Sequence, residues 1–414
     1  MSASSTAEGG RTVLLLGTLD TKGEEFEFLR DRLRQGGAEV LLADVGTLEP
    51  PSVQPDITRE EVGAATGVDV AALGAAGDRG AAIGAMAGAA AALARRLYDE
   101  GRIHGVLSAG GSGNTAIATA AMQALPVGVP KLMVSTMAAG DTSDYVGGVD
   151  VMMMASVTDV AGINSISSRI LANAAAAMAG MVQAEPPALE GGRPLVAATM
   201  FGVTTPCVTT AREALERKGY EVLVFHATGT GGKAMEALVD GGLLTGVLDI
   251  TTTELCDDLV GGVLSAGPAR LEAAGRAGVP QVVSLGALDM VNFGARDSVP
   301  PKFEDRNLYV HNPSVTLMRT TRQECAELGR RIARKLSQAT GPVSLFVPLK
   351  GVSMIDAEDQ PFHHPEADAA LFEALREGLA GTQVELVELD NNINDEEFAV
   401  AMAEKLDGYL GGAR

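Results

Sequence analysis

The 414-residue sequence predicts an α/β protein built from two open, mostly parallel sheets in tandem. Three observations support this. Short aliphatic runs alternate with helix-period segments from end to end, the order expected when each strand is returned by a helix. Several of these runs pass into helices through glycine-rich turns. One stretch, Ala184-Glu185-Pro186-Pro187-Ala188-Leu189-Glu190-Gly191-Gly192-Arg193-Pro194, breaks every periodicity and divides the chain.

Residues 1–10 are small and polar and read as a disordered tail without the apolar core of a signal peptide. Residues 11–185 then form the N-terminal domain. Its strands are expected at 12–16, 39–43, 105–109, 131–135 and 151–155, each a run of aliphatic residues of strand length. Its helices are expected at 23–35, 79–99, 114–124 and 163–182, where apolar residues recur at three- and four-residue spacing. The helix at 79–99 is so rich in Ala and Gly that its small faces suit close packing, either on its own sheet or on a second copy of the chain. A linker at 186–194 leads to the C-terminal domain, 195–414. There the same alternation gives strands near 195–199, 221–225, 246–250, 281–285, 308–311, 343–347 and 384–389, with a terminal helix at 395–406. In such sheets ligands bind beyond the carboxyl ends of the strands, and a cleft between the two domains is the default site.

The net charge of −21 sets a negative potential against nucleic acid and anionic membranes, and no basic patch offsets it. Arg30, Arg32 and Arg34 are interleaved with Asp31, Leu33 and Gln35. Three cysteines without metal-ligand spacing fit a reducing, cytoplasmic setting. The uncharged run at 80–94 is too short to span a bilayer.

Residues just past each strand carry the candidate chemistry. After 105–109 come Gly110-Gly111-Ser112-Gly113-Asn114-Thr115-Ala116, a strand-to-helix turn whose free N–H groups and dipole favour phosphate or carboxylate. No Lys-Ser or Lys-Thr pair closes the run, so it is not a P-loop. Around it lie Thr18, Asp20 and Thr21 after the first strand, Asp44 after the second and Thr136 after the fourth. Phosphates are expected on the amides near 111–115, with Asp44 accepting from ribose hydroxyls. The second half offers Thr204 and Thr205 before Pro206 and Cys207, then a second glycine cradle with His226, Gly229, Gly231 and Lys233. It also offers Thr251, Thr252, Thr253 and Glu254 at the end of a hydrophobic strand. His226 and Glu254 are candidate proton-transfer groups, Lys233 a candidate anion clamp, and Glu254 or Asp249 a candidate Mg²⁺ ligand.

Several segments together resemble a known family: Gly17-Thr18-Leu19-Asp20-Thr21-Lys22, Gly110-Gly111-Ser112-Gly113, Met200-Phe201-Gly202-Val203-Thr204-Thr205-Pro206-Cys207, Phe225-His226-Ala227-Thr228-Gly229 and Gly246-Val247-Leu248-Asp249-Ile250-Thr251-Thr252-Thr253-Glu254. So do Gly286-Ala287-Leu288-Asp289-Met290-Val291-Asn292-Phe293-Gly294, Leu317-Met318-Arg319-Thr320-Thr321 and Ile393-Asn394-Asp395. The family is the largely uncharacterised group of bacterial, fungal and plant proteins that includes the N-terminal domain of the tomato mosaic virus resistance protein. The resemblance implies two Rossmann-like lobes, ATP and Mg²⁺ as cofactors, a homo-oligomer, and a TIM-barrel partner that is fused in the plant relative and here absent or separately encoded. It implies no settled reaction and no viral partner. The expected function is therefore a nucleotide-binding protein. The alternative is a hydrolase or carbon–carbon lyase acting on a phosphorylated or carboxylated small molecule in the inter-lobe cleft.

Overall fold

A computed structural model describes residues 10–185 and 192–411. The tail at 1–9 and most of the expected linker lie outside the described residues. The chain divides into two compact units, with 10–185 in one and 192–411 in the other.

The first unit runs β1 (Thr12–Gly17), α1 (Leu19–Gln35), β2 (Glu39–Asp44), α2 (Arg59–Ala64), α3 (Val70–Ala76), α4 (Arg79–Asp99), β3 (Gly105–Gly110), α5 (Ser112–Gln123), β4 (Lys131–Ser135), α6 (Ser143–Val146), β5 (Met152–Ala155) and α7 (Ser167–Gln183). All neighbouring strands are parallel, in the order β2-β1-β3-β4-β5. Because strands of such a sheet are covered on both faces, they are apolar along their length rather than alternating. One face carries Val13, Leu15, Leu107 and Val134 against Leu29 and Leu33 of α1 and Leu171 and Met178 of α7. The other carries Leu14, Leu16, Val106 and Met133 against Met86 and Leu93 of α4 and Ile117 and Met122 of α5. The Ala-rich face of α4 is thus spent on its own unit. The short helices α2, α3 and α6 carry too few periodic residues to have been expected from sequence.

The second unit contains β6 (Leu195–Met200), α8 (Thr205–Arg217), β7 (Glu221–His226), α9 (Thr230–Asp240), β8 (Gly246–Thr251), α10 (Glu254–Val260), α11 (Ala273–Ala277) and β9 (Gln281–Gly286). It continues through β10 (Met290–Phe293), β11 (Leu308–Asn312), β12 (Val315–Arg319), α12 (Arg322–Leu336), β13 (Val343–Pro348), α13 (Pro365–Leu379), β14 (Glu385–Leu389) and α14 (Glu396–Leu410). The parallel sheet has the order β14-β13-β9-β8-β6-β7. Helices α8 and α14 cover one face, while α12 and α13 cover much of the other.

One strand lies elsewhere than expected. The run at 308–311 does not join the parallel sheet but pairs antiparallel with β12, which also pairs with β10, in a separate three-stranded sheet. The turn explains it. Asn312 accepts from the amide and hydroxyl of Ser314, closing a tight reversal around Pro313 that a crossover helix cannot follow.

Candidate functional site

In the first unit β1 lies between β2 and β3, so the chain steps in opposite directions from it. The carboxyl ends of β1 and β3 therefore flank a topological switch point, where an open α/β sheet forms a crevice. A cavity of about 440 Å³ lies there. Its wall includes Thr18, Asp20 and Thr21 after β1, and Gly110, Gly111, Ser112, Gly113 and Asn114 at the turn into α5.

The turn is an open helix start. Gly111 stands at the N-cap in extended conformation and has no side chain to cap α5. The amide of Thr115 is the first to bond back, to Gly111 O at 2.9 Å, so those of Ser112, Gly113 and Asn114 precede the helical ladder. Two cations line the same cavity, Lys22 at the kink in α1 and Arg79 in the first turn of α4. Neither forms an ion pair among the described residues. Arg79 reaches over the cradle: a Cβ on Gly113 would lie 3.7 Å from its Nη2. Sequence reasoning missed Arg79, although a cation in a first turn works against the helix dipole and so signals another use. Val45, Leu48, Leu73, Ile83 and Ile117 supply an apolar part of the wall.

Three residues expected at this site are placed otherwise. Asp44 is 1% exposed and does not line the cavity. Its Oδ1 accepts from the amides of Leu19 (3.1 Å) and Gly46 (2.9 Å), and its Oδ2 accepts from Arg59 Nε at 2.7 Å, so it caps α1 instead of waiting for a ribose. Thr115 is buried and turned inward, with its Oγ1 2.7 Å from Ser135 Oγ and donating to Gly111 O at 2.8 Å. Thr136 is exposed but off the wall, its amide donating to Gly110 O.

The second unit has a switch point too, between β6 and β8, and the carboxylates expected there are already partnered within the chain. Glu254, expected to move protons, is 0% exposed. Its Oε1 accepts from the amides of Gly229 (2.7 Å) and Gly232 (3.0 Å) at the start of α9, and its Oε2 from Arg270 Nε at 2.6 Å. The second glycine cradle thus holds an anion already, one the chain supplies. Gly232 is required by that contact, since a Cβ there would fall 2.1 Å from Glu254 Oε2. Arg270 is wholly buried and also donates to both oxygens of Asp249, at 2.5 and 2.7 Å, which removes Asp249 and Glu254 as magnesium ligands.

The threonines are internal as well. Thr251 Oγ1 lies 2.7 Å from Thr204 Oγ1, Thr252 Oγ1 donates to Ser284 O, and Thr253 Oγ1 donates to Met290 O, all buried. They tie β8 to neighbouring strands and loops rather than face a ligand. Asn394 Oδ1 accepts from Cys207 N at the start of α8, and burial pushes the Cys207 thiol up to about 12, so no thiolate forms there. His226, Thr205 and Lys233 are exposed, and Gly231 is half-buried. Among the described residues no group of three or more His, Cys, Asp or Glu side chains is arranged to hold a metal, and no helix is long and apolar enough to cross a membrane.

Comparison with known proteins places these features in a family. Residues 11–187 match the N-terminal domain of the uncharacterised protein family UPF0261, and residues 193–410 match its C-terminal domain. A UPF0261 protein of Clostridium tetani is 54% identical over 396 residues, covering 96% of this chain and 98% of that protein. One from Mesorhizobium japonicum is 49% identical over 399 residues, 96% of this chain and 99% of the relative. The ToMV resistance protein Tm-1(GCR237) of Solanum lycopersicum is 40% identical over 413 residues; 95% of this chain matches 55% of that longer protein. Matched in both halves, and nearly end to end by bacterial relatives, the chain belongs to the UPF0261 family.

Proposed function

We propose that this chain is a nucleotide-binding protein that takes ATP with magnesium in the cavity of its first unit. One observation supports this above others: the start of α5 is uncapped and opens on a cavity carrying two cations that form no ion pair among the described residues, whereas the start of α9 in the second unit receives Glu254. Phosphates would meet the amides of Ser112, Gly113 and Asn114, with Arg79 and Lys22 adding charge-assisted bonds. The base would lie on Leu48, Leu73 and Ile83. Magnesium needs only one or two protein carboxylates beside phosphate oxygens, and Asp20 and Asp159 line the wall to provide them. When bound, the ion would screen the phosphates from these carboxylates. Asp20 is held in place, its Oδ2 accepting from Leu48 N at 3.1 Å.

The metabolic-enzyme alternative loses Glu254 and Thr251 to Thr253 to the interior, and no observation favours it. Self-association, a cytoplasmic setting and a separately encoded TIM-barrel partner belong to the same proposal, the first open to sedimentation analysis and the last to co-purification.

Thermal unfolding tests nucleotide binding. A ligand that binds the folded state alone raises the midpoint with the logarithm of its concentration. MgATP is expected to do so. A midpoint unmoved by millimolar MgATP would overturn the assignment.

A further inference from the structure

In the second unit one guanidinium stands among three carboxyls, all four groups buried. Arg319, at the end of β12, sends a single nitrogen, Nη2, to Asp356 Oδ1 at 3.1 Å and to Asp368 Oδ1 at 2.5 Å. Asp289, between β9 and β10, is the third carboxyl. Its Oδ2 accepts from Ser353 Oγ at 2.8 Å, and its Oδ1 has no hydrogen-bond partner among the described residues. Fully ionised, the cluster would set three negative charges against one positive charge away from water, and like carboxyls sharing such a site do not all ionise. Asp356 and Asp368, drawn together on one nitrogen, also hydrogen-bond each other. Two ionised carboxylates only accept, so that bond needs a proton.

The cluster fastens one segment. Residues 349–364 connect β13 to α13 without helix or strand and leave from the carboxyl end of β13, the edge where open α/β sheets bind ligands. Connections of this length without regular structure are usually functional. Arg319 reaches this one twice, at Asp356 and through Nε at Phe362 O (2.7 Å). Asp289 reaches it at Ser353, and Asp356 Oδ2 folds it on itself by accepting from Val352 N at 2.9 Å.

We propose that a proton shared between Asp356 and Asp368 latches this connection, and that losing it as the pH rises loosens the segment from Ser353 to Phe362. Other ionisable groups surround the pair. His363 and His364 are exposed at the end of the connection, and Arg306, paired with Glu324, donates to Arg319 O. Cys325 lies 3.7 Å from Arg319 Nη1, and burial pushes its thiol up to about 11. Burial raises Cys256, on the Asp289 side, well above its ordinary value, so both thiols stay neutral. Burial, with Asp289 and Asp368, pushes Asp356 up to about 9. Opening returns Asp356 to water and to an ordinary value near 4. Between these values the closed form keeps a proton that the open form has lost, so each pH unit makes opening about tenfold easier.

Hydrogen exchange of the full-length protein, corrected at each pH for the rate of an unstructured chain, tests the latch. Protection over 353–362 is expected to lie below that of β8 and to fall about tenfold per unit from pH 7 to 8.5. Asp368→Asn keeps an oxygen for Arg319 and supplies a permanent N–H donor, and should remove most of that slope. Exchange of 353–362 only together with β8, protection independent of pH, or an unaltered slope in Asp368→Asn overturns the proposal. Should the variant not fold, carbon-13 spectra of the unaltered protein labelled at aspartate carboxyls decide: one carboxyl still protonated at pH 8 is expected, and its absence overturns the latch.

Discussion

Arg270 shows how a single residue occupies the carboxylates at the second switch point. Its guanidinium is fully buried and shared between Asp249 and Glu254, with Glu236 3.5 Å away. Burial alone would favour loss of its charge, but the surrounding carboxylates hold its pKa well above the ordinary value. A buried ion pair adds little over apolar packing, yet removing one partner strands the other charge away from water. Arg270→Ala leaves three carboxylates facing one another and is expected to lower stability by about 3–5 kcal/mol. Urea unfolding measures this. A loss below about 1 kcal/mol would show that water or protonation relieves the carboxylates and that the plug is loosely held.

At the scale of elements, two helix starts built on similar glycine turns have different fates. The start of α9 receives Glu254, and its glycines let that carboxylate come within hydrogen-bond range. The start of α5 receives no side chain, and α4 brings Arg79 to it instead. A positive charge in a first turn opposes the helix dipole, so Arg79 contributes nothing favourable to α4 by that route. Arg79→Ala is accordingly expected to leave the thermal midpoint of the free protein unchanged or slightly raised, while weakening MgATP about tenfold, the loss of one charge-assisted hydrogen bond. Melting and calorimetry read the two effects separately. A lowered midpoint with unaltered affinity would mean that Arg79 serves the fold.

Across the whole molecule, acidity is distributed unevenly, and the buried part governs how stability responds to pH. Burial pushes Asp257 up to about 7, and burial with the nearby Asp289 and Asp368 pushes Asp356 up to about 9. In the unfolded chain both ionise near pH 4. Between these values the folded state keeps protons that the unfolded state has lost, so raising the pH favours unfolding. The protein is therefore expected to lose stability steadily from pH 6.5 to 9. That window avoids the carboxylates whose pKa values are lowered by partners, such as exposed Glu304 and half-buried Asp407, because they are ionised throughout. It also avoids His104, whose lowered pKa affects stability only below about pH 6.5. Denaturation midpoints taken across the window check the sign. A rising midpoint would mean that the buried carboxyls are ionised in the folded protein.

By itself, the sequence determined the alternation of strands and helices, because that depends on local periodicity: β4 and α4 occupy the expected residues, and the other large-sheet strands lie within a residue or so of them. It also located the cradle at 110–114, since strand, glycine turn and helix are neighbours along the chain. Tertiary structure alone decided which groups share a space. Asp44 and Arg59 are 15 residues apart, and Glu254 and Gly229 are 25 apart, so their pairing depends on how strands order in a sheet, not on any local pattern. For the same reason Arg79, 34 residues before Gly113, gave no motif with it. A carboxylate at a strand end looks alike in sequence whether it awaits a ligand or already holds an amide. The difference lies in whether a donor from a distant segment has arrived to satisfy it.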